Sequence, residues 1–493
     1  MSDASEDEIV AWLTPLSERR IDTACAHVFL TPERALKVKR HDDLGYVDFS
    51  TAERRLWALE RELEFNRPAA PDIYRAVRRI TREADGSLAV EGRGETVDHA
   101  LEMRRFDERL VLGAQPDLVD GDLAERLGRT IARVHAEAPL RPQGGLTALS
   151  WTTGSNTGLL REIAALDQAR VETLIALTEA ELERQAPLLA HRAASGFARR
   201  CHGDLHLGNI LLEDGEPVLF DCIEFSDLLS DLDVQYDLAF LLMDLDFRGR
   251  RDAAARAHSA YLDEAARRFP SETWAGTAAL PLMLSVRAGV RTHVCAHSGD
   301  AAAANAYVEA GIAHLSPPPP VLAAVGGLSG SGKSVFARAA APLMGASPGA
   351  VILRTDEVRK RLMDAAPTER LADDAYSAEA HARTYDALFE AAGALLKAGR
   401  AVVLDATFLD PGLRARAEEL AARAGVPFRG AWMDAPVAVL EARVAARTGD
   451  ASDATVAVLR EQVARLGPAP SWPKVDATAP SAVAAAAWRA GLA

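Results

Sequence analysis

Four cysteines are few for 493 residues, and Cys25, Cys201, Cys222 and Cys295 stand scattered without paired spacing. That argues against a disulfide framework and predicts reduced thiols in the cytosol. No run of about 20 apolar residues is present to span a bilayer. The opening MSDASEDEIV has neither a positive n-region nor an apolar h-region, so no signal peptide is expected. A basic surplus is missing as well, since 56 Lys and Arg face 71 Asp and Glu for a formal net charge of −15. Broad binding to nucleic acid or an anionic membrane needs clustered Lys and Arg, so the composition argues against both. The seven tryptophans are dispersed and form no platform for stacking bases. No internal repeat is evident.

What is present describes a folded, multidomain chain. Hydrophobic residues make up 48% and charged residues 26%, as in soluble globular proteins, and the length predicts two or three domains. The clearest boundary is Ser316-Pro317-Pro318-Pro319-Pro320, because consecutive prolines fit no helix interior or central strand and favour a stiff spacer. The expected division is therefore 1–315, a proline-rich linker 316–320, and 321–493. In the first part, strands are expected at His27–Leu30, Ala35–Arg40, Ile73–Ile80, Ser87–Val90 and His99–Arg104, with one helix from about Thr51 to Asn66. Beyond Asp107 the pattern turns helical, as in Leu123–Ala138 and Asp252–Arg268. A small strand-rich lobe followed by a helical lobe is an α+β arrangement. After the prolines, the apolar run Val321–Val325, a Gly-rich turn and the helical stretch Val335–Leu343 open an α/β domain. Val351–Leu353 and Ala401–Leu404 continue it as buried parallel strands.

The first chemical signature is His202-Gly203-Asp204-Leu205-His206-Leu207-Gly208-Asn209, followed by Leu219-Phe220-Asp221. Phosphoryl transfer needs metal ligands, a cation on the phosphates, and a carboxylate that orients or deprotonates the acceptor. Asp204 precedes Asn209 by five residues, the offset of the kinase catalytic loop, so Asp204 would face the acceptor hydroxyl and Asn209 a Mg²⁺ ion. Leu211–Phe220 reads as a hairpin whose returning strand ends in Asp221, a second oxygen ligand suited to Mg²⁺. The segment resembles the aminoglycoside phosphotransferase and choline kinase family. That resemblance implies a protein-kinase-like bilobal fold, with Asp204 as the catalytic Asp and Asn209 and Asp221 as metal ligands. It also implies a phosphate-binding lysine on Ala35-Leu36-Lys37-Val38-Lys39. Lys37 and Lys39 point to one face, so spacing does not choose between them, and Lys37 is preferred. Glu62, ahead of Glu60, would be its ion-pair partner, and Met103 and Arg104 would form the adenine-binding hinge. Two departures stand out. No glycine lies between Thr23 and Leu30, where a Gly-rich flap would sit, and Gly203 replaces the arginine of protein-kinase loops. The second favours small-molecule over protein substrates.

The second signature, Gly327-Leu328-Ser329-Gly330-Ser331-Gly332-Lys333-Ser334, matches the P-loop pattern between a strand and a helix. Its glycines Gly327, Gly330 and Gly332 let backbone N–H groups wrap phosphates at a helix N-terminus. Lys333 would reach the β- and γ-phosphates and Ser334 would ligate Mg²⁺. Asp356 and Arg359 follow a strand at the sheet's carboxyl edge, Asp405 ends another strand in a Walker-B-like position, and Arg443 and Arg447 lie four apart on one helical face. This part is similar to small P-loop kinases such as gluconate kinase, polynucleotide kinase and zeta-toxin-like proteins. The resemblance implies that Asp356 orients or deprotonates the acceptor.

The whole chain resembles bacterial bifunctional aminoglycoside phosphotransferase/ATP-binding proteins, through Lys37-Val38-Lys39, Asp48-Phe49-Ser50-Thr51, the His202 loop, the P-loop and Asp405-Ala406-Thr407-Phe408. The expectation is an ATP- and Mg²⁺-dependent phosphotransferase with two kinase-type modules acting on hydroxyls of small molecules. Two alternatives stay open: a P-loop enzyme regulated by an inactive kinase-like sensor, and a kinase of nucleic-acid ends. His293 and His297, four apart, lack the Glu of H-E-x-x-H and read as ordinary helix residues, and His135 reads as structural. The acidic run Asp227–Asp233 offers a lining for a cationic acceptor, or a solvated turn.

Overall fold

Strict alternation along the strand Arg34–Lys39 sorts its side chains between two environments. Leu36 and Val38 join Phe29, Ile80, Val97 and Ala100 under the helix Glu6–Leu13, which contributes Ile9 and Leu13. Ala35 faces the other way, toward Leu59, Ile73, Tyr74 and Leu101. Lys37 and Lys39 share that second face, which the helix Ala52–Asn66 covers. Thr51 starts the helix by accepting a hydrogen bond from Arg54 N–H, an N-cap that satisfies an otherwise orphan donor.

The computed structural model describes residues 4–23, 25–43, 47–269, 271–446, 451–466 and 471–491. The chain forms two compact units, Met1–Leu118 with Arg200–Leu232, and Val119–Arg199 with Asp233–Ala493. The first holds a six-stranded sheet in the order Arg19–Asp22, Ala26–Leu30, Arg34–Lys39, Glu95–Arg104, Tyr74–Arg82, Leu88–Val90. Every neighbouring pair is antiparallel. The same unit contains the hairpin Ile210–Glu213/Glu216–Leu219. Its two-residue turn, Asp214-Gly215, has positive φ at both positions (51° and 82°), the geometry that matches strand twist.

The second unit contains long helices and a parallel sheet. Helices Gly121–Glu137 and Arg251–Arg268 pack through small residues such as Ala124, Ala132, Ala253, Ala254 and Ala257. The backbones approach closely at Gly128, where a Cβ would lie 2.2 Å from the Ala257 carbonyl oxygen. Only glycine fits there. The parallel sheet runs Val351–Arg354, Val402–Asp405, Leu322–Gly326, Phe428–Asp434, Lys474–Asp476. Its central strand is buried throughout, as expected for a parallel strand covered on both faces. Helix Arg251–Arg268 reaches this sheet, and Ile352 N–H donates to Ser259 Oγ at 3.1 Å. Residues 317–320 carry no regular secondary structure. The P-loop helix begins at Lys333, earlier than the expected Val335, because left-handed Gly332 is its N-cap; a 3-10 turn, Ala341–Leu343, completes the stretch. Among the described residues, no helix is long and apolar enough to cross a membrane. None of the four cysteines forms a disulfide.

Candidate active sites

In the first unit the His202 loop is held from both ends by its own polar groups. His202 Nε2 lies 2.9 Å from the Phe220 carbonyl oxygen, and Asp204 N–H donates to His202 Nδ1 at 3.3 Å. This pairing calls for the tautomer with its proton on Nε2. The Asn209 amide nitrogen donates to the Asp204 backbone carbonyl and to Asp204 Oδ2, both at 2.9 Å. Phe220 N–H donates to the Asn209 carbonyl at 3.1 Å, which ties the hairpin's end to the loop and delivers Asp221. Asp221 adopts a left-handed φ of 60°, and its N–H donates to the Tyr74 hydroxyl at 2.9 Å.

Both candidate lysines meet Glu62. Lys37 Nζ donates to Glu62 Oε1 at 2.6 Å and to Asp221 Oδ1 at 2.8 Å. Lys39 Nζ donates to Glu62 Oε2 at 2.7 Å and to Glu224 Oε1 at 2.5 Å. The outer partners differ in setting: the Asp221 side chain is 47% exposed, that of Glu224 only 6%. Burial opposes charge on Glu62, yet Lys37 and Lys39 outweigh it and hold the carboxyl down at about 2. Burial likewise works against the Lys37 ammonium, but Asp221 and Glu62 keep it well above the usual lysine value. Met103 is buried opposite Ala35 and Tyr74 in the sheet. Arg104 pairs with Glu213 at 2.7 Å. Glu224 and Tyr74 escaped sequence reasoning. The only trace of Glu224 was its place three residues after Asp221.

In the second unit a cavity of about 890 Å³ opens on the P-loop, lined by Gly330, Gly332, Lys333 and Ser334 on one side and by Asp356, Arg359 and Asp405 on another. Gly330 is tightly confined, since a Cβ there would lie 2.6 Å from the Leu440 carbonyl oxygen. Lys333 Nζ donates to the Leu328 carbonyl at 2.9 Å, and Ser329 N–H donates to Gln462 Oε1 at 2.9 Å. Arg354 Nε stands 3.2 Å from Asp405 Oδ2. Burial raises the Asp356 carboxyl above the ordinary Asp value, and Asp405 adds to this against the opposing pull of Arg354 and Lys333. Arg359 donates to the Ala375 carbonyl at 2.8 Å and lies over the Tyr376 ring. Arg443 lines the same cavity and donates to the Ala477 carbonyl at 2.9 Å. Arg447 lies outside the described residues.

The smaller features resolve simply. His293 and His297 sit on the helix Leu280–His297, where His297 Nδ1 lies 2.7 Å from the His293 carbonyl oxygen. His135 is buried between the Tyr261 hydroxyl and Asp237, each at 3.0 Å. The acidic run is paired with arginines: Asp227 with Arg61 and Arg200, and Asp233 with Arg192.

The family model described as the Phosphotransferase enzyme family matches residues 58–278, and that of an AAA domain matches residues 322–469. An uncharacterized protein of Mycobacterium tuberculosis is 31% identical over 481 residues, an alignment covering 93% of this chain and 92% of that protein. The chain belongs to that two-domain family. This chain joins a kinase-type phosphotransferase domain to a P-loop domain. Among solved structures, a gluconokinase from Sinorhizobium meliloti 1021 is 22% identical, with 36% of this chain and 94% of that chain covered and a TM-score of 0.25. A Plasmodium vivax ethanolamine kinase is 10% identical, with 60% and 80% covered and a TM-score of 0.38. In this phosphotransferase–P-loop family member Lys37, Asp204 and Asp221 all belong to the first unit, and the P-loop cavity to the second.

Proposed function

We propose that the chain is an ATP- and Mg²⁺-dependent phosphotransferase whose two modules, 1–315 and 321–493, joined by 316–320, move the γ-phosphate of ATP to hydroxyls of small molecules. The observation carrying this reading is the pair of oxygen-rich, lysine-bearing sites: Lys37 between Glu62 and Asp221, and Lys333 beside Ser334, Asp356 and Asp405.

In the first module Lys37 steadies the ATP phosphates and Glu62 fixes the ammonium; the backbone at Met103 borders the adenine. Asp204 accepts the proton of the acceptor hydroxyl as that oxygen attacks the γ-phosphorus and ADP leaves. Asn209 spends its amide nitrogen on Asp204, so its amide oxygen, together with the Asp221 carboxylate, is the donor set for Mg²⁺. Lys39, buried on Glu224, supports Glu62. In the second module the P-loop N–H groups and Lys333 hold the β- and γ-phosphates, Asp356 orients and deprotonates the acceptor, and Arg443 with Arg447 covers the transferring group. Ser334 and Asp405 are the oxygen donors for Mg²⁺ there. In both modules the ion, when bound, neutralises charge building on the phosphate oxygens. Asp373, exposed Arg370 and Tyr376 border the cavity, a polar lining in keeping with a small polar acceptor. A cytoplasmic setting supplies ATP and Mg²⁺ and agrees with thiols that form no disulfide.

The test is to follow the label of γ-³²P-ATP in a small-molecule extract. The reading predicts label in organic phosphate esters. Label found only in orthophosphate would make the chain an ATPase and overturn it.

A further inference from the structure

Within the second unit a buried ladder of alternating charge leads away from Asp405. Arg354 pairs with Asp405 at 3.2 Å through Nε and with Glu357 at 3.6 Å through Nη1. Glu357 Oε1 also accepts from Arg129 Nη2 at 3.1 Å. Arg129 turns its other nitrogen to Asp263 Oδ2 at 3.0 Å, and Asp263 in turn pairs with Arg361. Asp405, Arg354, Arg129 and Asp263 are all less than a tenth exposed. Arg129 and Asp263 stand on the helices Gly121–Glu137 and Arg251–Arg268, inside the span matched by the phosphotransferase family. Glu357 follows Asp356 on the helix Thr355–Leu362, in the span matched by the AAA domain. A residue of one family domain thus reaches the chemistry-bearing helix of the other.

We propose that Arg129 is a positioning residue for the P-loop site, acting through Glu357 on the way Arg354 holds Asp405. This rests on the phosphotransferase reading of that site. Arg354 bridges two carboxylates through separate nitrogens, Nε toward Asp405 and Nη1 toward Glu357, so its single charge is shared between them. With Arg129 on Glu357, the pull of Glu357 on Arg354 is weakened and Arg354 stays on Asp405. Without Arg129, the Glu357 carboxylate, only 14% exposed, would lose a partner and draw Arg354 toward itself, because a poorly solvated charge without a partner is disfavoured. Asp405 would then lose the guanidinium that fixes its orientation at the edge of the cavity. In this chain the P-loop domain is therefore not self-sufficient: helices of the phosphotransferase span complete the support of its acidic edge.

The experiment uses the full chain in an Asp204→Asn background, with ATP, Mg²⁺ and a small-molecule extract, and reads the turnover that Lys333→Ala removes. Arg129→Met is expected to lower kcat about ten-fold with KM for ATP changed less than about two-fold. The double variant Arg129→Met/Glu357→Gln removes the Glu357 carboxylate along with the cation, Asp263 keeping Arg361 as its partner, and is expected to return kcat to within about two-fold of the background. That recovery separates electrostatic positioning from lost packing, because the Met side chain is present in both variants. It also keeps the test decisive if the single variant folds poorly. Unchanged kcat in Arg129→Met, or a double variant impaired about ten-fold, overturns the inference. Turnover that persists undiminished in Lys333→Ala overturns the P-loop reading itself, a separate outcome.

Discussion

Lys37 and Lys39 lie two positions apart and share one carboxylate, yet their outer partners give them different duties. Lys37 reaches the half-exposed Asp221, while Lys39 ends on buried Glu224. Lys39→Met therefore leaves buried Glu62 and Glu224 without their common cation and is expected to cost about 3–5 kcal/mol of stability, as broken buried pairs do. Lys37→Met is expected to lower first-module turnover at least about 100-fold, the size of loss seen when a preorganised charge partner is removed. Denaturant melts and label transfer, run on both variants, separate the two effects. At the second site, Asp356 is raised above the ordinary value of 3.8 by burial and by Asp405. A base must be ionised to accept a proton, so second-module activity is lost as pH falls through a midpoint above 3.8. A pH profile of Lys333-dependent turnover with an acid limb at or below that value would contradict the role given to Asp356. Spacing already placed Lys37 and Lys39 on one face, since strand alternation is local. Their division of labour was not legible, because it depends on Glu224, about 185 positions away in sequence and brought close only by the fold.

Elements were legible where period and punctuation agree. The helix from Thr51 begins at its cap, the Asp214-Gly215 turn closes the hairpin, and the strand–loop–helix of the P-loop stands where its motif stood. The helix Glu6–Leu13 and the edge strand Arg19–Asp22 went unseen. The strand, Arg19-Arg20-Ile21-Asp22, is mostly exposed and carries almost no apolar pattern to read. The strands Phe428–Asp434 and Lys474–Asp476 were missed as well, the latter being only three residues long. Helix contact is likewise invisible in a single sequence. Gly128 sits in an ordinary amphipathic helix, and only the packed pair reveals that its hydrogen faces the Ala257 carbonyl. Gly128→Ala would favour an isolated helix by about 1 kcal/mol. In this packed pair it is instead expected to destabilise the chain by about 1–3 kcal/mol through overpacking. A stabilised Gly128→Ala chain in a urea titration would mean the two helices do not approach so closely.

At the scale of the whole molecule, the chain carries two candidate phosphate-handling sites, one in each compact unit, and the ladder through Arg129 ties the P-loop side to helices in the phosphotransferase span. Each site that binds MgATP adds about 2.7 kcal/mol of apparent stability at a hundred-fold excess over Kd. The wild-type melting temperature is therefore expected to rise with MgATP, and the rise to shrink in Lys333→Ala without vanishing. The domain pairing was legible because both motifs are contiguous in sequence. What the P-loop cavity would accept was not, because its lining draws on residues as distant as Arg359, Tyr376 and Asp453. The measurement that bears most directly on two working modules is mass identification of phosphorylated products from a small-molecule extract, with wild type beside Asp204→Asn and Lys333→Ala. Each variant is expected to lose a different product and keep the other. Loss of every product in Lys333→Ala, with none lost in Asp204→Asn, would contradict this and leave the first module without catalysis.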